Sequence, residues 1–509
     1  MNEKKGRVFI VGAGPGDPGL ITVKGLRCLE QADVVVYDRL ANARLLSQAK
    51  EGAELIFAGK GPDKHVLEQD EINSVLVEKA RAGKTVVRLH GGDPFVFGRG
   101  AEEAEALRAE GLEFEIVPGV PSAVAVPAYA GIPVTHRNAA SFFTVITGRE
   151  DPTKEWTRVP WDKLAERSGT LLVLMGVESL PETVRKLQGY GLPSSTPIAL
   201  VQNGTTPRQR TVVGTLTDIV ERVNEAKLTS PAVTIVGDVV RLREKLKWFD
   251  SKPLFGKRVL VTRSRAQASL LSEKLAELGA EPVELPTIEV APPYDWSSLD
   301  NAIRDIHSFN WIIFTSANAV RMFFGRMKEK GWDSRSLAGA KICAIGPATA
   351  GELDSFGLKP DFVPGEFTSE GIVGSVGSMG MSGARVLLPR ADIAPEGLVK
   401  GLRKLGATVE QVVAYRTLVP EDSKAKEVLA RGDIDAATFT SSSTVKNLVE
   451  LLDGHAPEML NGVVIASIGP VTSETARSLG LRVDVEAKEH TIPGLVQALV
   501  GTMACRKGN

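Results

Sequence analysis

The chain has 509 residues and a formal net charge of −1, with 61 Lys and Arg against 62 Asp and Glu. This length exceeds what one hydrophobic core supports, so we expect two or three domains. The balanced charge excludes the polybasic signature of a nucleic-acid-binding protein. Cys28, Cys343 and Cys505 are too far apart for a disulfide framework or a zinc site, and the apolar run at residues 8–11 is too short to span a membrane. We therefore expect a cytoplasmic protein without a metal, a nucleic-acid partner or a membrane partner.

Short β-branched runs alternate with helical patterns along the first half of the chain. The runs predict strands at residues 8–11, 34–37, 85–89, 143–146, 171–175 and 198–202. Helical periodicity predicts helices at residues 66–82 and 101–110. This alternation indicates an α/β fold with much parallel sheet. The charged stretch 241–257, with Pro253 and Gly256 at its end, predicts a linker, so we divide the chain into residues 1–245, a linker at 246–256 and residues 257–505.

The second half of the chain repeats itself. Three pairs of blocks match in the same order: 258–263 with 385–390, 314–318 with 439–443, and 344–349 with 467–472. In the first pair, Arg263 and Arg390 are 127 positions apart. Each block is typical of a strand that ends in a small polar turn and leads into a helix, which predicts a duplicated α/β unit with two lobes. Ligands bind at the carboxyl ends of such strands, so we expect the lobes to face a shared cleft.

Turns rich in glycine and proline follow four predicted strands of the first half. They are Gly-Ala-Gly-Pro-Gly-Asp-Pro at 12–18, Gly-Gly-Asp-Pro-Phe at 91–95, Pro-Gly-Val-Pro-Ser-Ala at 118–123 and Asn-Gly-Thr at 203–205. The first turn is not a dinucleotide fingerprint, because Asp17 stands where the third glycine belongs and Pro15 stiffens the turn. Bare backbone at several strand ends instead predicts a cradle for a nucleoside with an amino-acid tail.

Together with Tyr-Asp-Arg-Leu at 37–40, Gly-Lys-Gly at 59–61 and Ile-Pro-Val-Thr-His-Arg at 132–137, these turns resemble the tetrapyrrole methyltransferase family, and within it uroporphyrinogen-III C-methyltransferase. The resemblance covers about residues 6–245. It implies a homodimer through this half and S-adenosyl-L-methionine as methyl donor, with S-adenosyl-L-homocysteine as product. The residues that it implies for cofactor binding are Pro15, Gly91, Gly92, Asp93, Val96, Pro121, Ser122, Met175 and Gly204. Pro121 stands where the family usually has threonine, and a proline cannot supply that side-chain hydrogen bond.

The resemblance also implies roles in catalysis. Asp38 matches the family's proposed base and Lys60 its proposed proton donor, while Arg99, Glu102 and Arg137 match positions at the tetrapyrrole site. Arginine forks suit a substrate rich in carboxylates. Structural interpretations remain open beside these: Asp38 as a helix cap, Lys60 and the arginines as solvated charges, Asp93 as a turn residue and Met175 as core filler.

The duplicated half resembles uroporphyrinogen-III synthase over about residues 255–500. That resemblance implies a first lobe of about residues 257–290 and 419–505 and a second of about 291–418. Tyr415 matches the family's candidate acid. Strand-end residues that can hold the substrate's carboxylates are Arg263, Thr315, Ser316, Thr349, Ser441, Ser442 and Thr472. Ordinary N-cap chemistry for the hydroxyls, and a half-buried strand aromatic for Tyr415, are the alternatives.

The two resemblances describe consecutive steps. The second half would cyclise hydroxymethylbilane to uroporphyrinogen III with inversion of ring D. The first half would then methylate C2 and C7 to give precorrin-2, and no third module for oxidation and metal insertion is visible. One alternative keeps only the methyltransferase active and makes the other half a two-lobed tetrapyrrole-binding module. Further alternatives are a nicotinamide oxidoreductase, which the missing glycine disfavours, and a periplasmic-type binding module, which the lack of a signal peptide disfavours.

Overall fold

The computed structural model describes residues 6–59, 67–149, 159–165, 169–262, 265–285, 287, 289–418 and 425–506. The chain divides into two compact units. Unit 1 comprises Met1–Arg258, Leu275–Glu281 and Met503–Asn509, and unit 2 comprises Val259–Lys274 and Pro282–Thr502. Both units are α/β, as the sequence predicts. No helix within the described ranges is long and apolar enough to cross a membrane.

The first sheet of unit 1 is entirely parallel. Its elements are β1 Arg7–Gly12, α1 Val23–Gln31, β2 Val34–Tyr37, β3 Glu54–Phe57, α2 Gln69–Arg81, β4 Thr85–His90, α3 Gly100–Ala109 and β5 Glu113–Val117. The strand order is β3-β2-β4-β1-β5. Val8 and Ile10 of β1 enter one apolar core and Val11 enters another, so the strand is buried on both faces, as parallel strands usually are. The carboxyl ends of these five strands therefore meet at one edge.

The second sheet of unit 1 is mixed. Its elements, with the helix that leads into it, are α4 Ser122–Tyr129, β6 Phe143–Thr147, α5 Trp161–Leu164, β7 Thr170–Leu174, α6 Leu180–Gly189, β8 Pro197–Gln202, β9 Arg210–Thr215, α7 Ile219–Glu225, β10 Ala232–Val236 and α8 Arg243–Leu246. The strand order is β6-β7-β10-β8-β9, with β6 and β7 parallel and the other pairs antiparallel. Helix α4 packs on this sheet through Ala123 and Val126.

The segment predicted as a linker, residues 246–256, packs against the rest of unit 1. The indole Nε1 of Trp248 donates a hydrogen bond to a backbone carbonyl of α4 at 2.9 Å. Phe249 is 4% exposed, and its ring lies 4.8 Å from that of Tyr129. Leu254 is fully buried. Charged neighbours conceal these apolar residues from a composition argument, so the sequence does not show that the predicted linker is packed along its length.

The described C-terminal half, which lies mostly in unit 2, contains ten further strands. Its elements in chain order are β11 Arg258–Val261, α9 Arg265–Glu277, β12 Glu281–Glu284, β13 Glu289–Ala291, α10 Ser297–Arg304, β14 Trp311–Phe314, α11 Ala317–Glu329, β15 Lys341–Ala344, α12 Pro347–Ser355, α13 Ser369–Val376, β16 Arg385–Ala391, α14 Gly397–Lys404, β17 Thr408–Leu418, α15 Ala425–Ala430, β18 Ala436–Phe439, α16 Ser442–Leu451, α17 Ala456–Met459, β19 Val464–Ser467, α18 Pro470–Ser478, β20 Val485–Glu486 and α19 Ile492–Arg506.

These strands form two five-stranded sheets, ordered β12-β11-β18-β19-β20 and β13-β17-β16-β14-β15. The first sheet joins strands from the two ends of this half, since Val259 of β11 pairs in parallel with Ala436 of β18. The repeated sequence blocks occupy equivalent places, because β14 leads into α11 through Ser316 and β18 leads into α16 through Ser441. Each serine hydroxyl caps its helix.

Candidate active site

Three glycines bring the carboxyl ends of β1, β4 and β5 into backbone contact. A Cβ added at Gly12 would lie 2.5 Å from Gly119 Cα and 2.6 Å from Gly92 O, which is closer than any side chain tolerates. Gly14 and Gly92 exchange backbone hydrogen bonds of 3.2 and 2.7 Å. The predicted gathering of bare strand ends is therefore present at the edge of the first sheet.

The carboxylate of Asp93 joins two of these turns. Its Oδ1 accepts a hydrogen bond from Phe95 N at 2.8 Å, and its Oδ2 accepts one from Gly119 N at 3.0 Å. Asp93 thus serves as a turn residue and also fixes the turn after β5 against the turn after β4. Each carboxylate oxygen keeps a second lone pair, so the side chain can still accept from a ligand hydroxyl or ammonium group.

The second sheet contributes the end of β8 to the same region. A Cβ added at Gly16 would lie 2.8 Å from Thr205 Oγ1 and 3.2 Å from Gly204 O. The Thr205 hydroxyl accepts from Asp17 N at 3.1 Å, and Tyr129 OH donates to Asp17 Oδ2 at 2.7 Å. Burial, reinforced by this bond to Asp17, raises the pKa of Tyr129. The two sheets are therefore tied together where the predicted cofactor residues lie.

Four further predicted cofactor residues are Pro121, Ser122, Val96 and Met175. Pro121 and Ser122 open α4, and Ser122 N is 3.7 Å from the position of a Cβ on Gly92. Val96 is 37% exposed, and its amide donates to Asp93 O at 3.3 Å. Met175 follows β7 in the second sheet with φ 54° and is 49% exposed, so it is not core filler.

Asp38 stands at the end of β2, next to the glycine turn after β4. Its Oδ1 accepts from Leu40 N at 2.9 Å and from Ala41 N at 3.3 Å, so one oxygen closes a local turn. Its Oδ2 lies 3.7 Å from Arg88 Nη2. A Cβ added at Gly91 would touch Leu40 Cβ at 2.5 Å, which brings the two turns together.

Lys60 lies outside the described residues. Its neighbour Gly59 is described, and a Cβ added there would lie 2.8 Å from Arg39 N. The chain therefore passes directly beside the turn that holds Asp38 immediately before it reaches Lys60.

Arg88, His90 and Glu103 form a buried charged network next to Asp38, which the sequence analysis does not predict. Glu103 is fully buried and accepts from Arg88 Nε at 2.9 Å, while His90 Nε2 lies 2.7 Å from its other oxygen. Gln69 Nε2 donates to Glu103 at 3.3 Å. Burial would raise the pKa of Glu103, but the bond to His90 and the charge of Arg88 outweigh burial and lower it. The available signal was the presence of Arg88 and His90 inside an otherwise apolar strand.

The residues predicted to bind the tetrapyrrole in unit 1 are exposed. Arg99 adopts φ 63° before α3 and donates to both oxygens of Glu102 at 2.9 and 2.6 Å. The Arg99 hydrogen bond lowers the pKa of Glu102. Arg137 is exposed. Arg99 and Glu102 thus form a pair, in which the guanidinium keeps donors for a substrate carboxylate.

In unit 2, Tyr415 and Ser316 meet at the carboxyl end of the second sheet. Tyr415 is 8% exposed, and its hydroxyl lies 3.1 Å from Ser316 Oγ. Ser316 also accepts from Ala319 N at 3.1 Å as the cap of α11, so its cap role and its contact with Tyr415 coexist. Thr315, the last residue before this cap, is partly buried.

The other predicted hydroxyls of unit 2 lie at the starts of α12, α16 and α18. Ser441 Oγ lies 2.9 Å from Ser443 Oγ, and Ser442 Oγ donates to Val471 O at 3.3 Å. Thr349 and Thr472 are only 3% and 5% exposed. Arg263 lies outside the described residues. Within the described part of the chain, no group of three or more His, Cys, Asp or Glu is placed to hold a metal ion.

Comparison with protein families finds two matches along the chain. Residues 7–220 match the tetrapyrrole (corrin/porphyrin) methylases, and residues 269–497 match uroporphyrinogen-III synthase HemD. The chain is 41% identical over 497 residues to the porphyrin biosynthesis protein HemD of Ruminiclostridium josui. The aligned region covers 97% of this chain and 98% of that protein.

Two further relatives and one solved structure match the chain less completely. A uroporphyrinogen-III C-methyltransferase of Bacillus subtilis is 42% identical over 375 residues, covering 74% of this chain and 77% of that protein. The S-adenosyl-L-methionine-dependent uroporphyrinogen III methyltransferase of Methanosarcina barkeri is 51% identical over 246 residues, covering 48% and 96%. A crystal structure of the Thermus thermophilus uroporphyrin-III C-methyl transferase complexed with S-adenyl homocysteine is 40% identical, with a TM-score of 0.41, and covers 47% of this chain and 100% of that chain.

Proposed function

The chain belongs to the tetrapyrrole (corrin/porphyrin) methylases in its N-terminal part and to the uroporphyrinogen-III synthases in its C-terminal part, and on this premise we propose that it catalyses two consecutive steps of tetrapyrrole biosynthesis. The C-terminal half cyclises hydroxymethylbilane to uroporphyrinogen III with inversion of ring D. The N-terminal half then transfers methyl groups from S-adenosyl-L-methionine to C2 and C7 and yields precorrin-2.

The observation that carries the proposal is the contact of Gly12, Gly92 and Gly119 at the ends of neighbouring strands. Side chains are excluded there, so these turns present backbone to a ligand rather than side chains. Carbonyls suit the ammonium and adenine amino groups of S-adenosyl-L-methionine, and the free lone pairs of Asp93 suit its ribose hydroxyls. The exposed Met175 supplies an apolar, polarisable surface for adenine. The residues present therefore fit the cofactor that the relatives' names imply.

S-adenosyl-L-methionine, when bound, supplies an activated methyl group on a sulfonium. The chain's own residues then have two tasks, which are to align the pyrrole carbon with that methyl group and to accept the proton that the macrocycle loses. Asp38 suits the second task because its Oδ2 is not used by the local turn and lies beside Arg88. Arg99 and Arg137 suit the first task because guanidinium groups bind the substrate's carboxylates.

In the synthase half, the substrate must lose its hydroxyl group before the ring closes. Tyr415 OH can donate a proton to that leaving group, and Ser316 Oγ at 3.1 Å orients the phenol. The chain has only to fold the linear substrate so that its ends meet, which is a task of positioning. The tips of β14 and β17 in the second sheet of unit 2 supply these two hydroxyls.

The full-length chain, incubated with hydroxymethylbilane and S-adenosyl-L-methionine, tests the proposal by mass analysis of the products. We expect uroporphyrinogen III without the methyl donor and precorrin-2 with it. Methylation of added uroporphyrinogen III, without cyclisation of hydroxymethylbilane, would instead support the alternative of a tetrapyrrole-binding C-terminal half. No methylation of either substrate would overturn the proposal for the N-terminal half.

A further inference from the structure

Arg390 carries a buried positive charge that no described carboxylate neutralises. It is the penultimate residue of β16 and is 4% exposed. Its Nη1 donates to Pro395 O at 3.0 Å, whereas its Nε has no hydrogen-bond partner. Among the ion pairs of the described residues, none includes Arg390.

Arg88 of unit 1 provides a comparison, because it is a buried arginine whose charge is neutralised by carboxylates of the same chain. It is also 4% exposed, but Glu103 lies 2.9 Å from its Nε and Asp38 lies 3.7 Å from its Nη2. Removing a guanidinium from water is costly unless charge and hydrogen bonds compensate. Among the described residues Arg390 has no such compensation, and burial lowers its pKa. The buried guanidinium therefore suits a negatively charged ligand, which would act as its counter-ion.

The position of Arg390 points to where that counter-ion binds. β16 lies between β14 and β17 in the second sheet of unit 2, so all three carboxyl ends are neighbours. The pairing of β16 with β17 shifts register between Arg390 and Ala391, next to Tyr415. A register shift breaks the regular pairing at this point, and irregularities such as bulges re-aim side chains and are common beside active sites. Tyr415, which pairs with the next residue, Ala391, also contacts Ser316, and Ser316 is partly exposed.

We propose that Arg390 binds a carboxylate side chain of the tetrapyrrole substrate, beside Ser316 and Tyr415, in the synthase half. This inference rests on the proposed synthase activity, whose substrate is rich in carboxylates. Pro395 O holds the guanidinium in place before the ligand arrives, and such preorganisation strengthens binding. In the sequence repeat, Arg390 is the counterpart of Arg263, which was predicted to bind substrate, although Arg390 itself was not.

The test compares wild type, Arg390→Met and Arg390→Lys in the full-length chain. We expect Arg390→Met to raise the KM for hydroxymethylbilane tenfold or more, with a smaller rise for Arg390→Lys, because lysine keeps the charge but not the fork. The melting temperature of Arg390→Met should equal or exceed that of wild type, since removing an uncompensated buried charge does not destabilise the fold. Methylation of added uroporphyrinogen III serves as an internal control and should not change.

Arg326→Met provides the matched structural control, because Arg326 donates to Asp300 at 2.7 and 2.8 Å. We expect it to lower the melting temperature. If Arg390→Met behaves in the same way and leaves the KM unchanged, Arg390 is structural and the inference is wrong.

If wild type fails to cyclise hydroxymethylbilane, the synthase proposal fails, and fluorescence titration with uroporphyrin decides the inference separately. Weaker binding by Arg390→Met then supports a carboxylate site, and equal binding overturns it.

Discussion

Glu103 Oε1 accepts a hydrogen bond from Arg88 Nε at 2.9 Å in the interior of unit 1, where the two side chains are 0% and 5% exposed. His90 occupies the other oxygen of Glu103, and Arg88 extends to Asp38. This contact therefore links the helix after the glycine turn of β4 to the proposed base at the end of β2.

Glu103→Ala should destabilise unit 1 strongly. The change leaves Arg88 buried without its main partner, and breaking a buried ion pair from one side costs about 3–5 kcal/mol. Urea unfolding of the full-length chain, followed by a probe in unit 1, measures the loss. Glu105→Ala on the same helix is the control, because Glu105 is exposed and surface changes usually stay within about 0.5 kcal/mol. Equal stability of the two variants would contradict the network's structural role.

Gly119→Ala should weaken binding of S-adenosyl-L-methionine by about 10- to 100-fold while leaving cyclisation intact. The added Cβ would lie 2.3 Å from Gly92 O and 2.7 Å from Gly12 Cα, and both neighbours are backbone atoms that must shift. Forced backbone shifts typically cost about 1–3 kcal/mol. Isothermal titration calorimetry measures the affinity. Gly189→Ala is the control, because a Cβ there meets nothing within 4 Å. Unchanged affinity in Gly119→Ala would place the cofactor elsewhere.

Asp38→Asn should lose methylation but retain cofactor binding. Asparagine keeps an oxygen that accepts from Leu40 N and Ala41 N, so the turn is preserved while the basic carboxylate is removed. Loss of a general base reduces the rate about 10²–10⁴-fold. Single-turnover methylation and cofactor titration measure the two effects. Asp38→Ala should lose activity in the same way, and full activity in either variant would exclude Asp38 as the base.

Tyr415→Phe should slow cyclisation about 10²-fold if the phenol acts as the acid. The ring remains in the core, so stability should change little. Ser316→Ala removes both the partner of Tyr415 and the cap of α11, and Thr368→Ala, which removes only the cap of α13, controls for the cap. The cyclisation rate reports on Ser316 as the partner of Tyr415, and the melting temperature reports on Ser316 as a helix cap. Formation of uroporphyrinogen III at the parent rate by Tyr415→Phe would refute the acid assignment.

Asp300 should make unit 2 sensitive to acid. The hydrogen bond from Arg326 holds the pKa of Asp300 at about 2, below the usual value for aspartate. Because the pKa is depressed in the folded state, this stabilisation is complete above the unfolded value of about 4 and is lost as the pH falls towards 2. Melting temperatures from pH 6 to pH 3 should fall more steeply for wild type than for Asp300→Asn. Asp354→Asn, at an exposed position, should follow wild type, and parallel curves for Asp300→Asn would contradict the prediction.

The local features of the fold follow from the sequence, and the long-range ones do not. The strand at 34–37 and the helix start near 100 are predicted correctly, because apolar alternation and caps act within a few residues. The sequence does not show that Arg88 faces Glu103, or that Trp248 and Phe249 pack on α4, because these contacts depend on strand order and on segments far apart. Gly12, Gly92 and Gly119 are an intermediate case. Their motifs predict turns, but their contact with one another depends on the order of the strands in the sheet.

The pairing of β11 with β18 has a consequence for how the protein is made. β11 precedes its partner by roughly 180 residues, so one hydrogen-bonding edge of this apolar strand has no partner until most of unit 2 has been synthesised. Unpaired strand edges in a partly synthesised chain slow folding and favour association with other unfolded chains. Refolding yield in unit 2 should therefore depend more steeply on protein concentration than refolding yield in unit 1, whose first parallel sheet closes within its first 117 residues.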